Sequence, residues 1–476
     1  MTAVSAPGRT ARLAASLAVT LLFVTGCAEL KPPVSQAAAA LRIEVGGRAA
    51  GADIAPDFVG LSYEKSFLSL PLFDSDDAPL VALLRRLGPG VFRLGGNSVD
   101  RTSWDPTGPG LRKGLTAPSD ISRLALFLRA ADWRVIYGLN MATSTPQVAE
   151  QEASAAHAAL GNRLVAFEIG NEPDLYHGNG LRGRDYSYSD WLKEWKSYVD
   201  AISSGVPEAE YAGPAAATDF EGFTVSFSRD AAGKASLLTH HYYRADGRLS
   251  TSTVELLLSP DPRLPGLING LADAARSQGI RGGFRLGEAN SFFNGGAPHV
   301  SDTFASSLWA IDFLFQCAQG GAEGVNFHGG GESSGYTPIA DDGRIVQTVR
   351  PEYYGICLFS MAARGRMLTV NVSSGGNAVS AWAVAGRDDS LRVVLLNRSD
   401  ARPALVDLRL PGAPQTASLL RLTGPSLAAE TDTRLGGSLI LPDGSWDRAP
   451  REVAVVRNGR LEVQVDAPGA LLAVIR

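Results

Sequence analysis

From residue 58 to about residue 330, short strand-like runs alternate with helical stretches, and they do so eight times. The runs are FVGLSYE from 58, VFRLGG from 91, RVIYGLN from 134, LVAFEIGNE from 164, YAGP from 211, SLLTHHYY from 236, FRLGE from 284 and GVNFHG from 324. Between them lie apolar-periodic pieces such as APLVALLRRLG (78–88) and SDTFASSLWAIDFLFQCA (301–318), the latter with Ser301 and Asp302 as natural caps. Strands that alternate with helices pair in parallel. Eight such units over about 300 residues predict an α/β fold, a (β/α)8 TIM barrel. A doubly wound open sheet is the competing arrangement.

Past residue 360 the texture changes to short alternating runs (AVSAWAVAG, LRVVLLNRS, PALVDLRL, RLEVQVD, GALLAVIR) punctuated by Gly, Asp, Asn and Pro. That pattern predicts an all-β sandwich. The run LRIEV at 41–45 precedes the barrel and is placed in the same sandwich. With 476 residues, 45% of them hydrophobic, the chain can bury both cores. The predicted division is a leader at 1–26, a tether at 27–40, a sandwich strand at 41–57, the barrel at 58–359 and the C-terminal sandwich at 360–476.

Arg9 and Arg12 precede the apolar run LAASLAVTLLFV, which is too short to span a bilayer as a helix. It ends in V-T-G-C at 24–27, which resembles the lipobox of bacterial lipoproteins. The resemblance implies cleavage before Cys27, lipid on its sulfur, and an exported protein anchored to a bacterial membrane and facing the periplasm or exterior. Residues 28–40, AELKPPVSQAAAA, read as a low-complexity tether. The other cysteines, Cys317 and Cys357, fall in apolar helical stretches and are expected as buried thiols. A net charge of −5 argues against a nucleic-acid partner. Six histidines without H-E-x-x-H give no reason to expect a metal or other cofactor.

Catalytic side chains of such barrels sit at the C-terminal ends of strands. Glu172, in FEIGNEPD, follows the fourth strand, and Glu288, in FRLGEANSFF, ends the seventh. Two carboxyl groups meeting across the barrel mouth are what glycosidic cleavage requires: one protonates the leaving oxygen, and the other attacks the anomeric carbon.

The segments FRLGGNSVDRTSWDP (92–106), FEIGNEPD (167–174), THHYYRADGR (239–248) and LGEANSFFNGGAPHVSDTFASSLWAID (286–312) resemble glycoside hydrolase family 79, the β-glucuronidase and heparanase family. The resemblance implies Glu172 as acid/base and Glu288 as nucleophile, with retention of configuration. It implies Asn171 on the sugar 2-hydroxyl, Arg93 holding Glu288 ionised, Glu64 on sugar hydroxyls, and Asn97 and Asp105 at the rim. Alternation along LLTHHYY puts His240 and Tyr242 on one face and His241 and Tyr243 on the other. His240 and Tyr242 are taken as inward, with Tyr242 touching the nucleophile.

In GESSGYTPI (331–339), Gly335 and Tyr336 match a family turn that grips the sugar carboxylate through a backbone N–H and a phenol. Phe293 departs from the family, which has tyrosine there. The motif GESSG also fits a serine-hydrolase elbow, but no histidine follows it. These features predict a glycosidase that releases terminal β-linked glucuronic acid from a glycan or glycoconjugate. The alternatives are an endo-acting, heparanase-like hydrolase of uronic-acid polysaccharides and a non-catalytic carbohydrate-binding lipoprotein.

Overall fold

The computed structural model describes residues 40–333, 335–373, 378–412, 414–448 and 452–476. The predicted leader, Cys27 and nearly all of the tether lie outside the described residues. Eight parallel strands close into a barrel: β1 (Val59–Glu64), β2 (Gly90–Gly95), β3 (Trp133–Leu139), β4 (Leu164–Ile169), β5 (Tyr211–Ala216), β6 (Ala235–Asp246), β7 (Phe284–Phe293) and β8 (Gly324–Gly329). They hydrogen-bond in chain order, and β8 returns to β1. Closure leaves no edge, so the open-sheet alternative is excluded. Every one of the eight runs read from sequence is a barrel strand, though β6 and β7 run on past their expected ends.

The helices that follow the strands in turn are α1 (Ala78–Leu87), α2 (Pro118–Ala131), α3 (Pro146–Leu160), α4 (Tyr188–Gly205), α5 (Ser226–Asp230), α6 (Arg263–Ser277), α7 (Phe304–Gln319) and α8 (Pro351–Ala362). Their starts carry the expected chemistry. Asp77 caps α1 by accepting from Leu80 N, and Ser187 with Asp190 forms a capping box on α4. Helix α7 departs from expectation: it starts at Phe304, and neither Ser301 nor Asp302 caps it. Its first amides, Phe304 N and Ala305 N, donate instead to Ala429 O at 2.7 Å and Leu427 O at 2.9 Å. Ser301 is turned into its own loop, accepting from Ala297 N and Ser291 Oγ. Cys317 and Cys357 are buried free thiols in α7 and α8. Among the described residues no helix is long and apolar enough to cross a membrane.

Ten of the remaining strands form one mostly antiparallel sheet, and two short pairs stand apart from it: Ser103–Trp104 with Leu115–Thr116, and Ile339–Asp341 with Val346–Val349. The N-terminal strand Leu41–Asp53 lies inside it, antiparallel to Gly365–Val372 and parallel to Ala404–Arg409. The predicted sandwich is thus a single sheet whose halves close over a second core that includes Ile43, Val393, Leu395, Val406 and Leu471. Its other face packs on α7 and α8. Trp382 stacks on Phe315 at 5.4 Å between centroids and donates Nε1–H to Asp312 Oδ1 at 2.9 Å. Phe315 is fully buried, which contributes about 1.5–3 kcal/mol to this seam.

Candidate active site

The barrel interior is built in storeys. At the N-terminal end, Val91, Ile136, Ala166, Ala212 and Leu237 form a small apolar plug. Two residues further along three of these strands stand Arg93, Glu168 and Thr239, all buried. Arg93 Nε donates to Glu168 Oε2 at 2.6 Å, and Thr239 Oγ1 donates to Glu168 Oε1 at 2.8 Å. The rest of the guanidinium faces upward: Nη1 donates to Glu288 Oε2 at 2.8 Å and Nη2 to Asn171 Oδ1 at 2.8 Å. One buried cation therefore fixes both the nucleophile candidate and the residue preceding the acid candidate.

Glu288 reaches this position through a bulge. In the β6–β7 ladder Leu286 pairs with His240, whereas Glu288 pairs with His241, so Gly287 and Glu288 together oppose one residue. Leu286 faces the helical layer, while a Cβ on Gly287 would lie 3.3 Å from the inward Thr239. Strict alternation would turn Glu288 outward; the extra residue turns it in. Glu172 follows β4 in the left-handed conformation at φ 50°, with its amide donating to Ala215 O at 2.9 Å. A non-glycine residue there costs on the order of 1–3 kcal/mol, a strain concentrated at the chemical group.

Over the carboxylates lie two residues of β6. Tyr243 donates to Glu288 Oε1 at 2.8 Å, and His241 Nδ1 lies 3.0 Å from Glu172 Oε1 and 4.0 Å from Glu288 Oε1. One oxygen of each glutamate and one His241 nitrogen all fall within 4.8 Å of one another. His328, from β8, puts Nδ1 3.6 Å from Glu288 Oε2.

Burial alone pushes the Glu288 carboxyl up, but His328, His241 and Arg93, with the Tyr243 hydroxyl, outweigh it and hold the group well below the usual carboxylate range. His241 moves the other way: burial lowers its proton affinity, yet the Glu288 charge and the hydrogen bond to Glu172 raise it above the ordinary imidazole value. Among the described residues Glu172, His241 and Glu288 alone group the donor types a metal takes. Arg93 supplies a cation 2.8 Å from Glu288 on the Oε2 side.

No protein-family model matches the chain. It is 25% identical to a β-glucuronidase of Aspergillus niger over 389 residues, which cover 72% of this chain and 69% of that enzyme. It is 28% identical to heparanase of Mus musculus over 222 residues, 44% of this chain and 40% of that one. The crystal structure of a 4-O-α-L-rhamnosyl-β-D-glucuronidase from Fusarium oxysporum superposes with a TM-score of 0.77 at 20% identity, covering 91% of this chain and all of that one. The chain is a glycoside hydrolase that resembles the β-glucuronidase and heparanase family.

In this glycoside hydrolase Glu172, Glu288, Arg93 and Asn171 come together as expected from sequence. Glu64 borders them, with Oε1 3.9 Å from His328 Nε2, and it accepts the amides of Asn97 and Ser98. Asn97 is an exposed rim residue. Asp105 is engaged within its own loop by Thr107 and touches none of the carboxylate cluster among the described residues. Tyr336 is buried beside the site, its ring 6.1 Å from that of Tyr243 and 6.0 Å from that of His328. The Gly335 amide is committed to Gly295 O at 2.7 Å, so it does not offer the expected grip on a substrate carboxylate. Phe293 ends β7 at the lip, 41% exposed and edge-on to Tyr243.

The assignment of β6 faces is reversed. His240 and Tyr242 point into the helical layer, not the barrel. His240 Nδ1 pairs with Thr224 Oγ1 at 2.9 Å, and Tyr242 stacks on Phe313 and donates to Asp261 Oδ2. His241 and Tyr243 are the inward pair, continuing the parity of Leu237 and Thr239. Sequence reasoning also missed Glu168, His328 and Asp100. Glu168 carried a signal, a charge in the middle of an apolar strand, which only a buried cation such as Arg93 can satisfy.

Proposed function

We propose that the chain is a retaining glycosidase that releases terminal β-linked glucuronic acid, with Glu288 as nucleophile and Glu172 as acid/base. The observation that carries this reading is the convergence of the two carboxyl groups with His241 inside 4.8 Å. Retaining glycosidases hold their carboxyl groups about 5–5.5 Å apart and inverting ones about 6.5–9.5 Å, to leave room for water. The names of the Aspergillus and Fusarium enzymes support glucuronic acid as the sugar, as does the phenol of Tyr336 beside the nucleophile. The lipobox-like V-T-G-C supports export and lipid attachment at Cys27.

In the first half-reaction Glu288, ionised and held by Arg93 and Tyr243, attacks the anomeric carbon. The hydrogen bond between Glu172 and His241 contains one proton, and this pair delivers it to the leaving oxygen through Glu172. Ester formation removes the Glu288 charge. That charge is the main influence raising His241, so the pair's affinity for a proton falls as the intermediate forms. Glu172 is then suited to take a proton from the water that cleaves the ester.

The test is a panel of aryl glycosides (β-glucuronide, β-glucoside, β-galactoside and α-arabinofuranoside), with NMR of the first-formed sugar. Turnover of the β-glucuronide with the β-anomer appearing first is expected. Preference for a neutral sugar would remove the uronate assignment, and an initial α-anomer would remove retention. Glu288→Gln is expected to abolish turnover. For the anchor, Cys27→Ala is expected to abolish incorporation of labelled fatty acid.

A further inference from the structure

At the seam between the C-terminal end of α8 and the sheet lies a second concavity of about 670 Å³. Its walls carry five guanidinium groups, Arg364, Arg392, Arg421, Arg448 and Arg476, and a single carboxylate, Glu452. They come from separate parts of the chain: the end of α8, the strands Leu391–Asn397 and Thr416–Thr423, a loop before Glu452, and the C-terminus. Packing has brought five like charges to one hollow, an arrangement that raises the energy of the empty fold and lowers that of an anion-bound one.

Their pairing is uneven. Arg421 is neutralised, with Nε and Nη2 on Glu452 at 2.7 and 2.9 Å. Arg392 and Arg476 share one carboxylate, Asp388, at 2.9 and 3.9 Å. Arg392 is nine-tenths buried, and its Nη1 has no hydrogen-bond partner among the described residues. Arg364 and Arg448 are exposed and have no carboxylate within ion-pair distance among the described residues. Arg364 donates only Nε, to Ser360 O, and Arg448 lies over the Trp446 ring. Two guanidinium forks therefore face solvent with their paired donors unused, the geometry that carboxylate and sulfate groups match.

The hollow also offers hydroxyls from Thr416 and Ser418 and aliphatic surface from Leu420 and Val474. Anionic charge recognition beside hydroxyl and aliphatic contacts suits an acidic sugar chain. A concave site of this size admits a few sugar units, whereas a planar bilayer needs a protruding surface. The site is separate from the catalytic one. Glu352, at the start of α8, accepts from Asn290 beside Tyr336, and the 12 residues from there to Arg364 span about 18 Å of helix.

We propose that this groove is a secondary binding site for a carboxylate- or sulfate-bearing oligosaccharide, which holds an acidic glycan on the enzyme away from the catalytic centre. The choice of a glycan as occupant rests on the uronate reading of the active site; the anion site itself does not. The test uses hexagalacturonate, an α-linked uronic-acid oligomer with no β-glucuronide to cleave, in calorimetric titrations of the folded enzyme, with cellohexaose and phosphatidylglycerol vesicles as comparison probes. Saturable, salt-weakened binding of hexagalacturonate and none of cellohexaose is expected. The Arg364→Glu/Arg448→Glu double variant should bind about tenfold or more weakly, with its melting temperature and its rate on an aryl β-glucuronide unchanged. The gentler Arg364→Gln and Arg448→Gln should each lose part of the affinity. Absence of binding to the wild type, equal binding by the double variant, or arginine-dependent binding of the vesicles but not of hexagalacturonate overturns the proposal. Arginine-dependent binding by a chain that fails to cleave glucuronides would leave the groove standing and remove only the catalytic reading.

Discussion

Tyr243 donates its phenolic hydrogen to Glu288 Oε1 at 2.8 Å, on the side of the carboxylate opposite the Arg93 bond to Oε2. The hydroxyl is one of the groups that keep Glu288 ionised against the effect of burial. A hydrogen bond to a charged group contributes about 1.5–3 kcal/mol, so Tyr243→Phe should lower kcat/KM on the order of 10- to 100-fold. Its loss raises the Glu288 pKa, and the acidic limb of the pH–rate profile should move to higher pH. A profile that falls in height without moving at its acidic edge would count against this contact.

The neighbouring tyrosine provides the contrast. Tyr242 stacks on Phe313 and donates to Asp261 in the helical layer. Tyr242→Phe should lower stability by about 1 kcal/mol, the worth of one ordinary hydrogen bond. Activity on an aryl glycoside should stay within about twofold, since less than 0.5 kcal/mol of barrier is involved. A thermal melt and a rate measurement on the two single variants separate the faces of β6. If Tyr242→Phe proved the more damaging to catalysis, the barrel parity described above would be wrong.

His241→Gln should shift the acidic limb of the pH profile to higher pH. The imidazole charge helps to hold Glu288 ionised, so its removal raises the acidic limb. The stability effect has a definite sign. His241 titrates above its ordinary value in the folded chain, so its contribution is complete below that ordinary value and is lost as pH rises through the folded one. The difference in melting temperature between wild type and His241→Gln should therefore be largest in mild acid and should shrink as the pH becomes alkaline.

How much of this was legible beforehand varies with the kind of signal. All eight barrel strands could be read because each is an apolar run bounded by turn residues, and the parallel pairing followed from the helices between them. Glu172 was marked by its Asn-Glu-Pro turn. The faces of β6 were not legible, since Leu237 and Leu238 are both apolar and both buried, one in the plug and one under the helices. The inward placement of Glu288 was expected from its motif, but the bulge that achieves it was not legible, its only trace being Gly287. The Gly335 amide was misjudged because its partner, Gly295 O, is 40 residues away in sequence. Each miss concerns the aim of a side chain or amide, which tertiary pairing decides, and not the presence of an element.

Asp100 shows how far the supporting structure reaches. It is buried; Oδ1 accepts the amides of Met141 and Ala142, each at 2.9 Å, while Oδ2 accepts Asn171 N at 3.0 Å and the Tyr176 hydroxyl at 2.8 Å. This one carboxylate thus joins the loops after β2, β3 and β4 and fixes the backbone immediately before Glu172. In Asp100→Asn one acceptor becomes an amide donor facing two donors, so at least one buried group loses its partner at a cost of about 1–3 kcal/mol. The displaced Asn171 should carry Glu172 with it, and a misplacement near 1 Å can cost about 100-fold in rate. Because that loss runs through proton delivery, it should be large for glycosides with poor leaving groups and small for activated aryl glycosides, with KM little changed. Equal losses on both substrates would assign Asp100 to the general stability of the barrel mouth and not to the placement of the acid.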